Sequence, residues 1–147
     1  MFFIYYMNIY IDGVFDLFHY GHIESFRKCK ELYPNAKLIV GVISDDVATS
    51  YKRKPIYREK HRYALIENSK YVDKIIKDPP LVITKYFMET NKIGKVLHSF
   101  SNKSDGDKQE HFFSYPKSID SFTEFEYCTE TSTSKIISDI SNYLSNV

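Results

Sequence analysis

The chain has 147 residues and a formal net charge of +1, with 43% apolar and 27% charged residues. That is one ordinary domain, able to bury about 70% of the surface its unfolded chain exposes. The composition excludes a disordered chain, and the near-neutral balance lacks the basic excess of a general nucleic-acid binder, so no nucleic-acid partner is expected. Cys29 and Cys128 lie far apart with no CxxC spacing, which argues against zinc or a disulfide framework and for a reduced, cytoplasmic setting.

Residues 1–7, "MFFIYYM", are apolar but lack a basic n-region and a small-residue cleavage site. They are expected to be a short leader, too short to cross a bilayer, in front of one domain that fills residues 1–147. No membrane anchor is expected in the chain. "NIYIDGVF" (8–15) is β-branched and aromatic until glycine breaks it, as in a buried strand followed by a turn. Ile23, Phe26, Cys29 and Leu32 then recur every third residue, predicting a helix over 20–32 that Pro34-Asn35 stops. "AKLIVGVIS" (36–44) has the continuous apolar run of a strand buried on both faces, and Ser44 or Asp45 caps a short helix.

Residues 57–71 carry an interrupted helical stripe, "VDKIIK" (72–77) is a short strand and Pro79-Pro80 a hard break. "TKYFMETNKI" (84–93) is predicted helical and "KVLHS" (95–99) a strand. "SDGDKQEHFF" (104–113) is predicted as a loop entering a helix, "FTEFEY" (122–127) as a strand and residues 132–144 as a capped closing helix. Regular alternation of strand and helix predicts an α/β fold, a doubly wound parallel sheet covered on both faces. Ligands in such sheets sit at the carboxyl ends of the strands, where residues 12–22 would lie.

Neither GxGxxG nor GxxxxGK[ST] is present, so nicotinamide and P-loop chemistry have no fingerprint. The Asp105-Gly106 stretch lacks a calcium loop's bidentate glutamate, Phe112 standing in its place. His19 and His22, three apart at a helix start, share a side beside first-turn N–H groups and the positive end of the helix dipole. That is a place for phosphate, where imidazoles stabilise charge developing on a phosphoryl oxygen, although the spacing alone also suits a plain helix cap. Gly21 allows close approach of the backbone. Lys52, Arg53, Lys54, Arg58, Lys60 and Arg62 form a basic cluster that suits a polyphosphate or a solvated turn.

The run "GVFDLFHYGH", followed by "LIVGVISDD", "HRY" and "YVDKII", resembles the catalytic domain of the choline-phosphate and ethanolamine-phosphate cytidylyltransferases, of the HxGH nucleotidyltransferase superfamily. The resemblance is good over about two thirds of the chain and weakens beyond residue 94. It implies a Rossmann-like five-stranded sheet, a homodimer, and transfer of CMP from CTP to phosphocholine or phosphoethanolamine with Mg²⁺ on the triphosphate. It implies catalytic roles for His19, His22 and Lys52. Nucleotide contacts fall to Gly13, Val14, Phe15, Gly21 and Arg62, and further along to His98, Ser132, Thr133 and Ser134. Asp12 and Tyr71 are implied to bind the cationic head of the acceptor, by charge and by a cation–π face.

The chain departs from the family pattern at two places. The acidic or amide pair after the fourth strand is Ser99-Phe100, and the RTxGIS-type segment reads "YCTETSTS", with Tyr127 for arginine and Glu130 for glycine. Asp105 or Asp107 is a candidate replacement for the missing carboxylate. A related transferase using ATP or glycerol 3-phosphate, and a nucleotide-binding homologue without turnover, are the alternatives.

Overall fold

The computed structural model describes residues 7–147, and its frame is made of β1 (Asn8–Gly13), β2 (Lys37–Val42), β3 (Lys74–Lys77), β4 (Ile93–His98) and β5 (Phe122–Glu124). All neighbouring strands pair in parallel, in the order β3-β2-β1-β4-β5. The doubly wound α/β reading therefore holds. β1 lies in the middle because its residues Ile9 to Asp12 are all buried, so it must be covered on both edges and both faces.

Alternation along the strands divides the core in two. Ile9 and Ile11 of β1 join Leu38, Val40 and Val42 of β2 on one face, packed against Phe26 and Cys29 of α1 (Tyr20–Leu32) and, beyond the short α2 (Asp45–Tyr51), Ile66 of α3 (Glu59–Glu67). Tyr10 and Ile39 point to the other face, against Phe87 and Met88 of α4 (Lys85–Thr90) and Phe112 and Phe113 of a 3-10 turn (Glu110–Phe113). Each fully buried Val, Leu or Ile contributes about 1.5–3 kcal/mol, so these two layers supply the main favourable term.

Several boundaries differ from the sequence expectation for local reasons. The helix expected over 57–71 is only Glu59–Glu67, because the Asn68 amide donates to the Ala64 carbonyl at 2.8 Å and turns the chain out. The loop expected from residue 104 is already α5 (Lys103–Gln109), since the Asn102 side chain accepts the Asp105 N–H at 2.9 Å and caps it. A short α6 (Ser114–Ser118) follows the 3-10 turn unannounced. β5 stops at Glu124, only three pairs along β4. The closing helix α7 (Thr133–Ser145) has no buried residue and is held through its first turn.

Of the expected leader, residues 1–6 lie outside the described residues. Met7 belongs to the fold: its carbonyl accepts the Lys37 N–H at 3.0 Å and its side chain packs on the core. No helix of the described residues is long and apolar enough to cross a membrane.

Candidate active site

β1 pairs with β2 on one side and β4 on the other, so the order reverses at β1, and the carboxyl ends of β1 and β4 face a cavity of about 510 Å³. Its walls come from Asp12–Asp16, the first turn of α1, the strap after α2, the segment after β4, and residues 127–134.

The chain leaves β1 through a tight loop in which Phe15 and Leu17 adopt left-handed φ values of 56° and 49°. Such angles are unfavourable for these side chains, so the loop must be held by its surroundings. Asp16 provides much of the hold. Its buried carboxylate accepts the N–H groups of Leu17 (3.0 Å), Ile56 (2.7 Å) and Tyr57 (2.8 Å), tying the loop to the strap after α2. Its carbonyl accepts the Thr133 hydroxyl at 3.0 Å, tying in the first turn of α7.

Arg62 completes the clamp. Fully buried, it donates to the carbonyls of Val14 (2.8 Å), Ile43 (2.6 Å) and Tyr57 (3.0 Å) and to the Asp45 carboxylate (2.7 Å). Arg62 was expected to contact the nucleotide; in the structure its side chain does not line the cavity, and its guanidinium holds the walls together. Tyr71 is also displaced from its expected place, because it packs beside Val72 and Ile75 on the α1–α3 face of the core instead of lining the cavity.

The two histidines form a reciprocal cap on α1. His19 is the N-cap and its Nδ1 accepts the Gly21 N–H at 3.0 Å, while His22 Nδ1 accepts the His19 N–H at 3.2 Å. An imidazole nitrogen that accepts carries no proton, so in each neutral ring the proton is on Nε2. The His19 Nε2–H meets Thr133 Oγ1 at 3.3 Å, an oxygen whose own proton is given to Asp16. The rings stack at 3.7 Å between centroids, and Phe18 stacks on the outer face of His22 at 5.9 Å. Burial lowers the His19 pKa and pushes His22 down to about 3, the charges of His19 and Lys52 acting in the same sense. Both rings are thus neutral hydrogen-bond donors at pH 7. Gly21 is needed because the His19 ring folds over it: a Cβ there would stand 3.0 Å from His19 Cε1.

The opposite wall is acidic and less satisfied. Asp12 is buried, and burial pushes its carboxyl up to about 7 against the opposing pull of Lys52 and a backbone hydrogen bond. His98 Nδ1 stands 3.7 Å from Asp12 Oδ1, too far to bond, and has no partner. Burial, with the Lys52 charge adding to it, takes His98 down to about 4 while Asp105 opposes.

Asp105 lines the same cavity, whereas Asp107 does not. Burial raises the Asp105 carboxyl, but the Ser101 N–H (3.1 Å), the Gln109 amide (2.8 Å) and Lys52 outweigh it and hold the pKa below the usual value. Phe100, in place of the expected acidic residue, turns away into a cluster with His98, Phe113 and Phe122, leaving Ser99 and Ser101 on the wall.

The cavity therefore gathers the expected Asp12, Gly13, Val14 and Phe15, with His19, Gly21 and His22 beside them. Lys52, His98, Ser132, Thr133 and Ser134 also line it, and Arg62 and Tyr71 do not. Sequence reading missed Asp16 as the anchor, although a carboxylate between Phe15 and Leu17 in a turn is a signal for backbone capping. It also left Ser101 and Gln109 without roles in the site, and nothing in their local pattern marks them; Arg53 it placed only within the basic cluster.

The chain matches the Cytidylyltransferase-like family model over residues 10–138. It is 35% identical over 132 residues to choline-phosphate cytidylyltransferase 2 of Arabidopsis thaliana, covering 89% of this chain and 43% of that one. Choline-phosphate cytidylyltransferase A of Homo sapiens is 33% identical over 137 residues, with 91% and 36% covered. A probable ethanolamine-phosphate cytidylyltransferase of Encephalitozoon cuniculi is 30% identical over 130 residues, with 88% and 39% covered. The chain thus spans less than half the length of these relatives. The lipopolysaccharide core biosynthesis protein of Thermoplasma volcanium GSS1 superposes with a TM-score of 0.64 at 24% identity over 85% of this chain and 98% of that one, a likeness of fold alone. With the HxGH cap, the parallel sheet and a family match that runs from β1 into α7, the chain belongs to the cytidylyltransferase-like family.

Proposed function

We propose that the protein transfers CMP from CTP to the phosphate of phosphocholine or phosphoethanolamine. An acceptor phosphate oxygen attacks the α-phosphorus, the bond from that phosphorus to the oxygen bridging to the β-phosphate breaks, and pyrophosphate leaves with the electron pair. The observation that carries this reading is the pair of neutral imidazoles whose Nε2–H donors are fixed by the α1 cap, at a cavity whose other wall presents Asp12. Donors held in advance stabilise the charge that develops on the transferring phosphoryl group without reorganising. Lys52 lines the same cavity, its charge acts on both His22 and Asp12, and its ammonium suits the phosphates. Asp12, when ionised, pairs with the acceptor's cationic head. The relatives named for choline-phosphate and ethanolamine-phosphate support that choice.

Mg²⁺ would enter on the triphosphate, where the carboxylates of Asp12 and Asp105 that line the cavity are hard oxygen groups it could face. That ion would neutralise charge on the leaving phosphates. The protein is further read as a cytoplasmic homodimer: both cysteines are free, as in a reducing compartment, and the dimer follows from the family resemblance. Light scattering tests the dimer and fractionation the compartment.

The deciding assay follows pyrophosphate release from CTP, ATP, UTP and GTP against phosphocholine, phosphoethanolamine and glycerol 3-phosphate. Release is expected with CTP and a cationic acceptor. A preference for glycerol 3-phosphate removes the role of Asp12, and CTP binding without release in any combination removes the transferase reading.

A further inference from the structure

The basic cluster 52–62 is not one patch. Arg62 is buried and fully engaged in the clamp, and Lys54, Arg58 and Lys60 do not line the cavity. Lys52 and Arg53 do line it. Arg53 is exposed, takes part in no hydrogen bond or ion pair among the described residues, and is the sole arginine among the described residues lining the cavity. Its strap is fixed at both ends. The Lys52 N–H bonds to the Ala48 carbonyl at 2.9 Å, Pro55 is buried, and Ile56 and Tyr57 are pinned to the Asp16 carboxylate. A long, free guanidinium is therefore carried at the mouth of the cavity by a strap that cannot drift far.

Facing an anionic ligand, a free guanidinium forms a bidentate fork with phosphate oxygens. In the reading above, the α-phosphate must sit at the His19 and His22 Nε2–H donors. His22 is a half-buried residue of the lining and Arg53 stands on the exposed rim, so the outer phosphates are the part of the ligand nearest the rim. The wall that ends in Ser132–Ser134 presents Tyr127 and no cation of its own to the cavity.

We propose that Arg53 is a nucleotide-binding residue that grips the β- and γ-phosphates of the nucleoside triphosphate from the fixed 52–55 strap. The proposal rests on the reading of this cavity as a triphosphate site. Calorimetric titration of the wild-type chain and Arg53→Ala with CTP, CMP and inorganic tripolyphosphate tests it. Arg53→Ala should weaken CTP and tripolyphosphate by about 10- to 100-fold, the loss of a charge-assisted contact, and leave CMP within about twofold. Arg53→Lys should recover part of the loss, and Lys54→Ala, one residue along but outside the cavity, should change nothing.

Equal weakening of CTP and CMP, or unchanged CTP binding, overturns the assignment. The two readings fail separately. A wild-type chain that binds CTP but releases no pyrophosphate sinks the transferase and leaves Arg53 to be judged by the titrations. Full turnover with CTP binding indifferent to Arg53 sinks Arg53 alone. A wild-type chain that binds neither CTP nor tripolyphosphate sinks both.

Discussion

The two ends of the cavity are built in opposite ways. At the histidine end, bonds between residues 16 and 22, reinforced from Ile56, Tyr57 and Thr133, leave each ring with a bonded Nδ1 and a defined proton on Nε2. At the acidic end, Asp12 and His98 are brought together by strand pairing, stand 3.7 Å apart and are held by packing, and His98 Nδ1 is unpartnered. The difference teaches that charge state is managed differently at each end. Burial lowers both capped imidazoles, His22 to about 3, whereas the carboxyl of Asp12 is pushed up to about 7 and titrates there. One end is prepared for chemistry in advance; the other responds to what enters.

The strongest way to break the comparison is to remove what holds the histidine end. Arg62→Met should lower unfolding free energy by about 3–5 kcal/mol, because a carboxylate and three carbonyls lose their donor. Urea unfolding with a change below about 1 kcal/mol would show that Arg62 is not the clamp. His22→Ala should reduce kcat by about 100- to 1,000-fold, the usual consequence of deleting one donor to a developing oxyanion. A kcat loss below tenfold in steady-state pyrophosphate release would remove its role.

Asp12 sharpens the contrast through pH. The folded carboxyl keeps its proton up to about 7, against an ordinary 3.8, so its contribution to stability is full below about pH 4 and is lost as pH rises through 7. An ionised Asp12 is what a cationic acceptor needs. The KM for phosphocholine should therefore rise about tenfold for each pH unit below 7 while kcat stays level. Asp12→Asn should flatten the KM profile at a high value and remove the stability decline. A KM for CTP that rises in parallel would assign the carboxyl elsewhere.

How far each end was legible in the sequence follows from the same contrast. The histidine cap is local: His19, Gly21 and His22 lie on one helical turn, so their spacing carries most of the geometry. The strands too were legible, since Leu38–Val42 is a continuous apolar run. Arg62, which the resemblance offered as a nucleotide contact, is buried away from the cavity, and that burial was not legible because it depends on carbonyls at Val14 and Ile43 far along the chain. The acidic wall was hardest. Phe100 turns away and Asp105 arrives on a helix capped by Asn102, and neither event has a local periodic signal.

The smallest expected effect bears on the bond that links α7 to the histidine cap. Thr133 Oγ1 donates to the Asp16 carbonyl at 3.0 Å, which leaves its lone pairs to receive the His19 Nε2–H at 3.3 Å. Replacing the hydroxyl by a methyl should leave the Nδ1 bonds of the cap intact, because those come from α1 itself. Thr133→Val should then lower kcat by about fivefold, the worth of one neutral hydrogen bond, while Thr133→Ser stays close to wild type. If Thr133→Val instead costs as much as His22→Ala, the histidine end is not self-sufficient. Its proton placement would then depend on α7, and the contrast between a locally built end and an assembled one would fall.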